Sequence, residues 1–282
     1  MNTLSLPDGS TIPNLGLGTA RIGGSSARRA AEVAAVRHAI EIGYRLIDTA
    51  EMYGEGGAEE VVGQAVAEAV RAGDVKRDEL FIVSKVYPHN ASRKGTVAAC
   101  ERSCRRLGLD RIDLYLLHWR GEHALAETVA GMQALLAAGR IAHWGVSNFD
   151  VDDMDELFAV STGCATNQVY FSLSQRGPEH SLLPWLRGQR LPLMAYSPID
   201  QGLLSRHAKL AAIGAPLGLT AAQVALAWVL AQPGTVAIPK AVKPEHLRDN
   251  WAAAGHTLGA EALRQIDALF PPPTRKTALA MT

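Results

Sequence analysis

A closed (β/α)8 barrel, the TIM barrel, is the fold this sequence predicts, and three observations predict it. Apolar, β-rich runs alternate along the chain with segments of helical period. Eight such runs end near Gly18, Asp48, Lys85, His118, Val146, Gln168, Tyr196 and Ile238, spaced at the length of a strand–helix unit. Three consecutive runs finish on an ionisable group: Arg45-Leu46-Ile47-Asp48, Leu80-Phe81-Ile82-Val83-Ser84-Lys85 and Ile112-Asp113-Leu114-Tyr115-Leu116-Leu117-His118. A buried strand has no structural reason to end on a charge. The C-terminal ends of parallel barrel strands share one pocket, so these groups are expected to meet there. An open, doubly wound sheet is the alternative, because strand count does not establish closure.

The elements follow in order. Leu4 and Leu6 alternate with polar residues, Asp8-Gly9 makes a turn and Thr11-Ile12 returns. This is a β-hairpin, expected to cap the bottom of the barrel. Helical stripes follow at Val33, Val36 and Ile40, at Val62, Val66 and Val70, and at Leu125, Val129, Met132 and Leu136. Residues 221–231 and 263–270 also read as helical. Residues 197–219 form the longest loop candidate, rich in Gly, Pro and polar residues, and a loop of that length at the active face usually covers a ligand. Pro271-Pro272-Pro273 cannot continue the preceding helix. No linker or low-complexity tract interrupts the pattern, so residues 1–282 are read as one domain.

Composition narrows the function classes. The chain has 282 residues, 48% of them hydrophobic, with 28 Lys plus Arg against 28 Asp plus Glu. A net charge of zero gives no support for a nucleic-acid or membrane partner. Three cysteines, Cys100, Cys104 and Cys164, read as free thiols in a reducing compartment. The first residues lack a basic segment followed by an apolar core, and no apolar run reaches bilayer length. A cytoplasmic protein is expected, and a monomer, since no amphipathic stripe is left over. His118 and His123 are five apart and do not match a helical metal-binding pair. No metal is expected. Gly16-Leu17-Gly18 is not a dinucleotide fingerprint, because Arg21 stands where its third glycine belongs.

The strand-end groups suggest acid–base chemistry. A tyrosine has a reference pKa of about 10 and needs help to act near neutrality. Tyr53, in the loop after Asp48, would gain that help from the ammonium of Lys85, which favours the phenolate. Asp48 would keep Lys85 charged, and His118 would orient a substrate oxygen. Singly, each has a plainer reading: Asp48 as a helix cap, Lys85 as an edge charge, His118 as a satisfied core histidine. Together at strand ends, they read as a site.

The chain resembles the aldo-keto reductases from Gly16 to about Asn250. Gly43-Tyr44-Arg45-Leu46-Ile47-Asp48-Thr49-Ala50 with Tyr53, Ile112 to Trp119, Gly145-Val146-Ser147-Asn148-Phe149, Ala195-Tyr196-Ser197-Pro198 and Ile238-Pro239-Lys240 carry the resemblance. Thr49-Ala50-Glu51-Met52-Tyr53 and the end from Ala241 to Lys276 look most like methylglyoxal-reductase-type bacterial members. The resemblance implies NADPH-dependent reduction of a small-molecule carbonyl, with Tyr53 as general acid. Ser147, Asn148 and Gln168 would hold the nicotinamide carboxamide, and Tyr196 would stack on its ring. Ser197 and Leu203 would line the pyrophosphate. Lys240, His246 and Asn250 would serve the adenosine end. Lys240 also suits a phosphate on residue type alone, beside the helix that Pro244 opens.

Five departures bear on specificity. Ala241 replaces the usual Ser or Thr, and His246 replaces an arginine common at a 2′-phosphate site. NADPH remains favoured through Lys240, Lys243 and nearby Arg248, with NADH kept open. Ala20 stands where many members carry a pocket aromatic, which would widen the mouth, while Trp119 remains as a wall. Gly56-Gly57 lengthens the loop after Tyr53, and the tail after Phe270 is short. Two other readings stand behind the reductase. One is a non-catalytic or redox-sensing NADP-binding module. The other is a Schiff-base lyase using Lys85 as nucleophile.

Overall fold

The computed structural model describes residues 2–281. Strands β1 (Thr3–Ser5) and β2 (Thr11–Pro13) pair antiparallel, with Leu4 opposite Ile12. The turn between them uses Gly9 at φ 86°, a left-handed conformation that costs glycine nothing. Eight parallel strands follow: β3 (Gly16–Gly18), β4 (Leu46–Asp48), β5 (Phe81–Val86), β6 (Ile112–Leu117), β7 (Ile141–Ser147), β8 (Asn167–Tyr170), β9 (Leu193–Tyr196) and β10 (Thr235–Ala237). Each pairs with the next in sequence order.

The first and last strands also meet. Leu15 bridges Ala237 and Gly18 bridges Lys240, both parallel. The Ala237 amide donates to the Asn14 carbonyl at 2.8 Å, and the Gly18 amide to the Pro239 carbonyl at 3.0 Å. The sheet is therefore a closed barrel and the open-sheet alternative is excluded. Closure leaves no unpaired sheet edge.

Helices cover the outside: α1 (Arg29–Ile42), α2 (Gly57–Ala72), α3 (Arg93–Leu107), α4 (Leu125–Ala137), α5 (Val151–Val160), α6 (Leu182–Gly188), α7 (Ala208–Gly214), α8 (Ala221–Ala231), α9 (Pro244–Ala253) and α10 (Ala260–Leu269). The α1 stripe is buried as expected. Two other stripes end one residue earlier than expected. In α2, Ala69 is buried while Val70 is 39% exposed; in α4, Leu135 is buried and Leu136 only partly. In α2 the steps of four drift off a 3.6-residue period, so the third contact falls one position back.

Residues 197–219 are more structured than a loop. They carry short 3-10 turns at Asp200–Gly202, Leu204–Arg206 and Ala215–Leu217, together with α7. Buried Leu204, Leu210 and Leu219 anchor the segment at intervals.

The barrel interior is layered. At the N-terminal end, Leu46, Val83, Leu114, Leu116, Met194 and Val236 form one apolar cluster, which Leu6 and Ile12 of the hairpin complete. Asp8 and Ser10 of its turn reach His143 of β7. The hairpin thus plugs the bottom. Toward the C-terminal end, the strands bury polar Asp48, Lys85 and Gln168 instead.

The loop after Tyr53 lies flat on the loop between β3 and α1. A Cβ on Gly57 would fall 2.2 Å from the Gly23 oxygen, and one on Gly54 would fall 2.6 Å from the Gly23 carbonyl carbon. Glycine is required there by close backbone approach. Gly57→Val is expected to cost about 1–3 kcal/mol in urea unfolding, as overpacking does. Gly188→Ala, in α6 with open space around it, is expected to be neutral or mildly stabilising.

Candidate active site

Asp48 closes β4, and Lys85 stands one residue before the end of β5. Lys85 is 0% exposed and Asp48 is 2% exposed. The ammonium has three hydrogens, and Lys85 Nζ has three acceptors: Asp48 Oδ1 at 2.6 Å, the Thr49 carbonyl at 2.9 Å and Tyr53 Oη at 3.2 Å. Burial alone would pull the lysine pKa down. The Asp48 carboxylate and Tyr53 together outweigh it, so Lys85 stays protonated with a pKa above the ordinary lysine value.

Tyr53 sits half-buried on a 3-10 turn, Tyr53–Gly56, that leads into α2. Its pKa is raised, against the sequence expectation that Lys85 would lower it. The cause is burial, which strips solvent from the phenolate. Lys85 opposes this, but Asp48 offsets part of its field. Tyr53 therefore holds its proton at neutral pH.

His118 follows β6, its amide donating to the Val86 carbonyl at 3.1 Å. Its ring meets Tyr53 edge-on at 5.7 Å and Trp119 at 4.8 Å. Burial, then Lys85, hold its pKa well below the usual histidine value, so the ring is neutral. Nδ1 is buried with no hydrogen-bond partner. A satisfied core histidine would have one. Asp48 is no helix cap and Lys85 no edge charge, for both are spent on each other inside the barrel.

The residues expected around a nicotinamide form one connected chain. Ser147 Oγ donates to the Gln168 carbonyl at 2.8 Å, and Asn148 Nδ2 donates to the His118 carbonyl at 3.1 Å. Tyr196 Oη donates to Asn148 Oδ1 at 2.8 Å, and its ring stacks on Tyr170 at 5.5 Å. Gln168 Nε2 donates to Asp48 Oδ2 at 2.7 Å, which leaves its oxygen as the accepting end. One carboxylate thus binds both Lys85 and Gln168. Asn148 holds φ 60°, and its amide donates to the Gln168 carbonyl at 2.9 Å. Asn tolerates that left-handed conformation better than most residues.

The next loop follows the rim. Ser197 lies at φ 49°, Leu203 is 69% exposed, and Asp200 accepts from Tyr170 and Ser174. Arg21 Nη2 reaches Gln201 Oε1 at 2.5 Å from the opposite loop. Lys240 is exposed, and burial of its stem with repulsion from Arg21 and Arg28 lowers its pKa despite Glu32. Cations therefore gather at this rim. Lys243 precedes α9, His246 is exposed on its first turn and Asn250 is buried. Arg248 contacts His38 Nε2 of α1 at 3.1 Å, so it is turned to that helix. Ala20 is exposed at the mouth.

Three participants escaped the sequence reading. The Thr49 carbonyl is a backbone group and leaves no side-chain signal. The Gln168–Asp48 contact spans 120 positions. Tyr87 was legible: it lies two residues past Lys85, on the same strand face. Its ring meets Trp119 edge-on at 5.9 Å and extends the wall.

The sequence model of the Aldo/keto reductase family matches residues 14–270. The chain belongs to that family. Methylglyoxal reductase YeaE of Escherichia coli (strain K12) is 47% identical over 279 residues, covering 96% of this chain and 95% of that protein. An aldo/keto reductase from Klebsiella pneumoniae, solved in complex with NADP and acetate, superposes with a TM-score of 0.94 at 46% identity, covering 99% of each chain. An aldo-keto reductase from the same organism, solved with NADPH, gives 0.93 at 46% identity and covers 100% of this chain and 99% of that one.

Among the described residues, no three His, Cys, Asp or Glu side chains gather as metal ligands would. No single described helix is long and apolar enough to cross a membrane.

Lys85→Met leaves the Asp48 carboxylate buried without its ammonium. It is expected to lower stability by about 3–5 kcal/mol, read in denaturant melts. The lowered His118 pKa sets an acid-side sign. The unfolded ring takes up a proton as pH falls below about 6.5, while the folded ring does so only at lower pH. Unfolding free energy is expected to fall from pH 6.5 downward, and His118→Asn to flatten part of that slope.

Proposed function

We propose that this chain catalyses NADPH-dependent reduction of small 2-oxoaldehydes or aromatic aldehydes to alcohols, with Tyr53 as proton donor. The observation that carries this is the Tyr53 hydroxyl 3.2 Å from the buried Lys85 Nζ, with the His118 ring edge-on beside it; burial favours the protonated phenol and the neutral imidazole. A carbonyl placed there meets an acid already holding its proton and a neutral ring able to donate a hydrogen bond.

NADPH, when bound, supplies the hydride to the carbonyl carbon. The fit of this group rests on the connected Ser147, Asn148, Gln168 and Tyr196 set and on the cations near Lys240. Tyr53 gives its proton to the carbonyl oxygen as the carbon is reduced. The phenolate left behind is held by Lys85, and the proton is regained from solvent. His118 orients the oxygen. Asp48 keeps Lys85 charged and, through Gln168, ties the acid to the carboxamide side.

The substrate reading draws on three supports. The YeaE relative is a methylglyoxal reductase. Ala20 leaves the mouth wide, and Tyr87 and Trp119 offer a flat aromatic wall. The NADP-bound relatives from Klebsiella pneumoniae support NADPH as cofactor. Ala241, His246 and the engagement of Arg248 with His38 argue for a modest preference over NADH. Buried, free Cys100, Cys104 and Cys164 suit a reducing compartment, and we take the chain, residues 1–282, to act as one cytoplasmic, monomeric unit. A Schiff-base lyase is disfavoured. Its lysine must lose a proton to attack, and here all three hydrogens are engaged and the pKa is raised.

Oxidation of NADPH with methylglyoxal and with 4-nitrobenzaldehyde, followed by absorbance, is the direct test. Tyr53→Phe is expected to lower kcat by about 100-fold or more while NADPH still quenches tryptophan fluorescence. Wild-type binding without turnover would instead indicate a binding module. At matched concentrations NADPH is expected to outperform NADH by a modest factor. Since burial raises the Tyr53 pKa above the ordinary tyrosine value, reduction is expected to hold through neutral pH and to fall only at alkaline pH. Alcohol oxidation, which needs the phenolate, is expected to rise over the same range; coincident optima would exclude Tyr53 as the shared group.

A further inference from the structure

The turn that carries Tyr53 is held from outside the barrel by a buried carboxylate the reaction does not use. Glu51, two residues before Tyr53, is 6% exposed. Its amide continues the β4–β5 pairing onto the Lys85 carbonyl at 3.4 Å, after Thr49 has paired with Val83 at 2.9 Å. Its side chain then reaches past the end of β5. Oε1 accepts from the Tyr87 amide at 2.8 Å and from Asn90 Nδ2 at 3.0 Å. Oε2 accepts from Arg102 Nη2 of α3 at 3.3 Å, with Arg106 Nη2 at 4.0 Å. One carboxylate therefore joins three pieces: the turn bearing Tyr53, the segment bearing the wall residue Tyr87, and the outer helix α3.

This geometry matters because 3.2 Å between Tyr53 Oη and Lys85 Nζ is close to the limit of a useful hydrogen bond. The residue carrying the hydroxyl lies beyond the last strand residue of β4. Past Asp48, the Thr49 and Glu51 amides pair the backbone of this turn with β5. The Gly23 side presses on Gly54 and Gly57 from the opposite direction. Glu51 supplies the opposing tie.

We propose that Glu51 is a positioning residue: its side chain fixes the distance between Tyr53 and Lys85 and sets the Tyr87 wall relative to both. This rests on Tyr53 being the proton donor. The tie depends on reach more than on charge, since the contact that matters is the acceptor at the Tyr87 amide. Glu51→Asp keeps the charge and withdraws the oxygens by about 1.5 Å. Glu51→Gln keeps the length and an acceptor oxygen.

The experiment compares Glu51→Asp and Glu51→Gln with the wild type, using methylglyoxal and NADPH in water and in heavy water. Rates are scaled to cofactor-binding sites titrated by fluorescence, so loss of folded protein is not read as loss of positioning. Glu51→Asp is expected to lower kcat by about tenfold to 100-fold, the range a misplacement of about 1 Å produces. Its NADPH dissociation constant is expected to stay within about twofold of wild type. Its solvent isotope effect on kcat/KM is expected to rise, because proton delivery has become slower. Glu51→Gln is expected to stay within about threefold of wild type. Wild-type kcat in both variants, equal losses in both, or a loss with an unchanged isotope effect would overturn the proposal. Tyr53→Phe is run beside them. Absence of wild-type turnover, or full turnover in Tyr53→Phe, would fall on the proposed function instead.

Discussion

The buried pair of Lys85 and Asp48 is the constraint around which the site is arranged. An ammonium enclosed in a barrel is tolerable only if its hydrogens are matched by acceptors and its charge by a countercharge. The chain meets this with one carboxylate, one backbone carbonyl and one phenol, at 2.6, 2.9 and 3.2 Å. That satisfaction has a price elsewhere: the same positive charge helps keep His118 neutral, and the same carboxylate offsets the ammonium's pull on Tyr53. Burial sets the direction for Tyr53 and His118, and the two charges of the pair add to it or oppose it.

The pair in turn depends on how the barrel is filled. Hairpin residues Leu6 and Ile12 seal the lower interior with the apolar layer of Leu46, Val83, Leu114 and Met194. Above that layer, Asp48, Lys85 and Gln168 lie toward the C-terminal ends of the strands. The direct hydrogen bonds between β10 and the β3 region complete the ring and keep Lys240 next to Gly18, at the C-terminal rim. Residues 197–219 then bring Ser197 and Gln201 over the same edge, with Arg21 meeting Gln201 from across it.

Tyr53, the proposed acid, stands outside the strands, and its support is correspondingly composite. Backbone contact with Gly23 presses from one side, and the Glu51 carboxylate ties from the other. Membership of the aldo/keto reductase family accounts for the barrel and for the general layout of the pocket. The glycines at 54 and 57 and the Glu51 tie describe how this chain seats the loop that carries Tyr53.

The sequence by itself determined the order and kind of the elements, because alternating period and strand-end charges are local properties. Asp48, Lys85 and His118 could be read as neighbours from their shared place at strand ends, and Tyr53 from the loop between two of them. What only the tertiary structure decided was whatever depends on distant atoms. Closure needed Leu15 to find Ala237. The direction of the Tyr53 pKa was not legible, because it balances burial against two opposite charges and burial is a property of the folded whole. Gln168 as a partner of Asp48, Arg248 as a partner of His38, and the Thr49 carbonyl as the third acceptor of Lys85 likewise arise from packing. Val70 shows the same limit on a smaller scale: its spacing placed it on a stripe, and the drift of a 3.6-residue helix turned it to solvent.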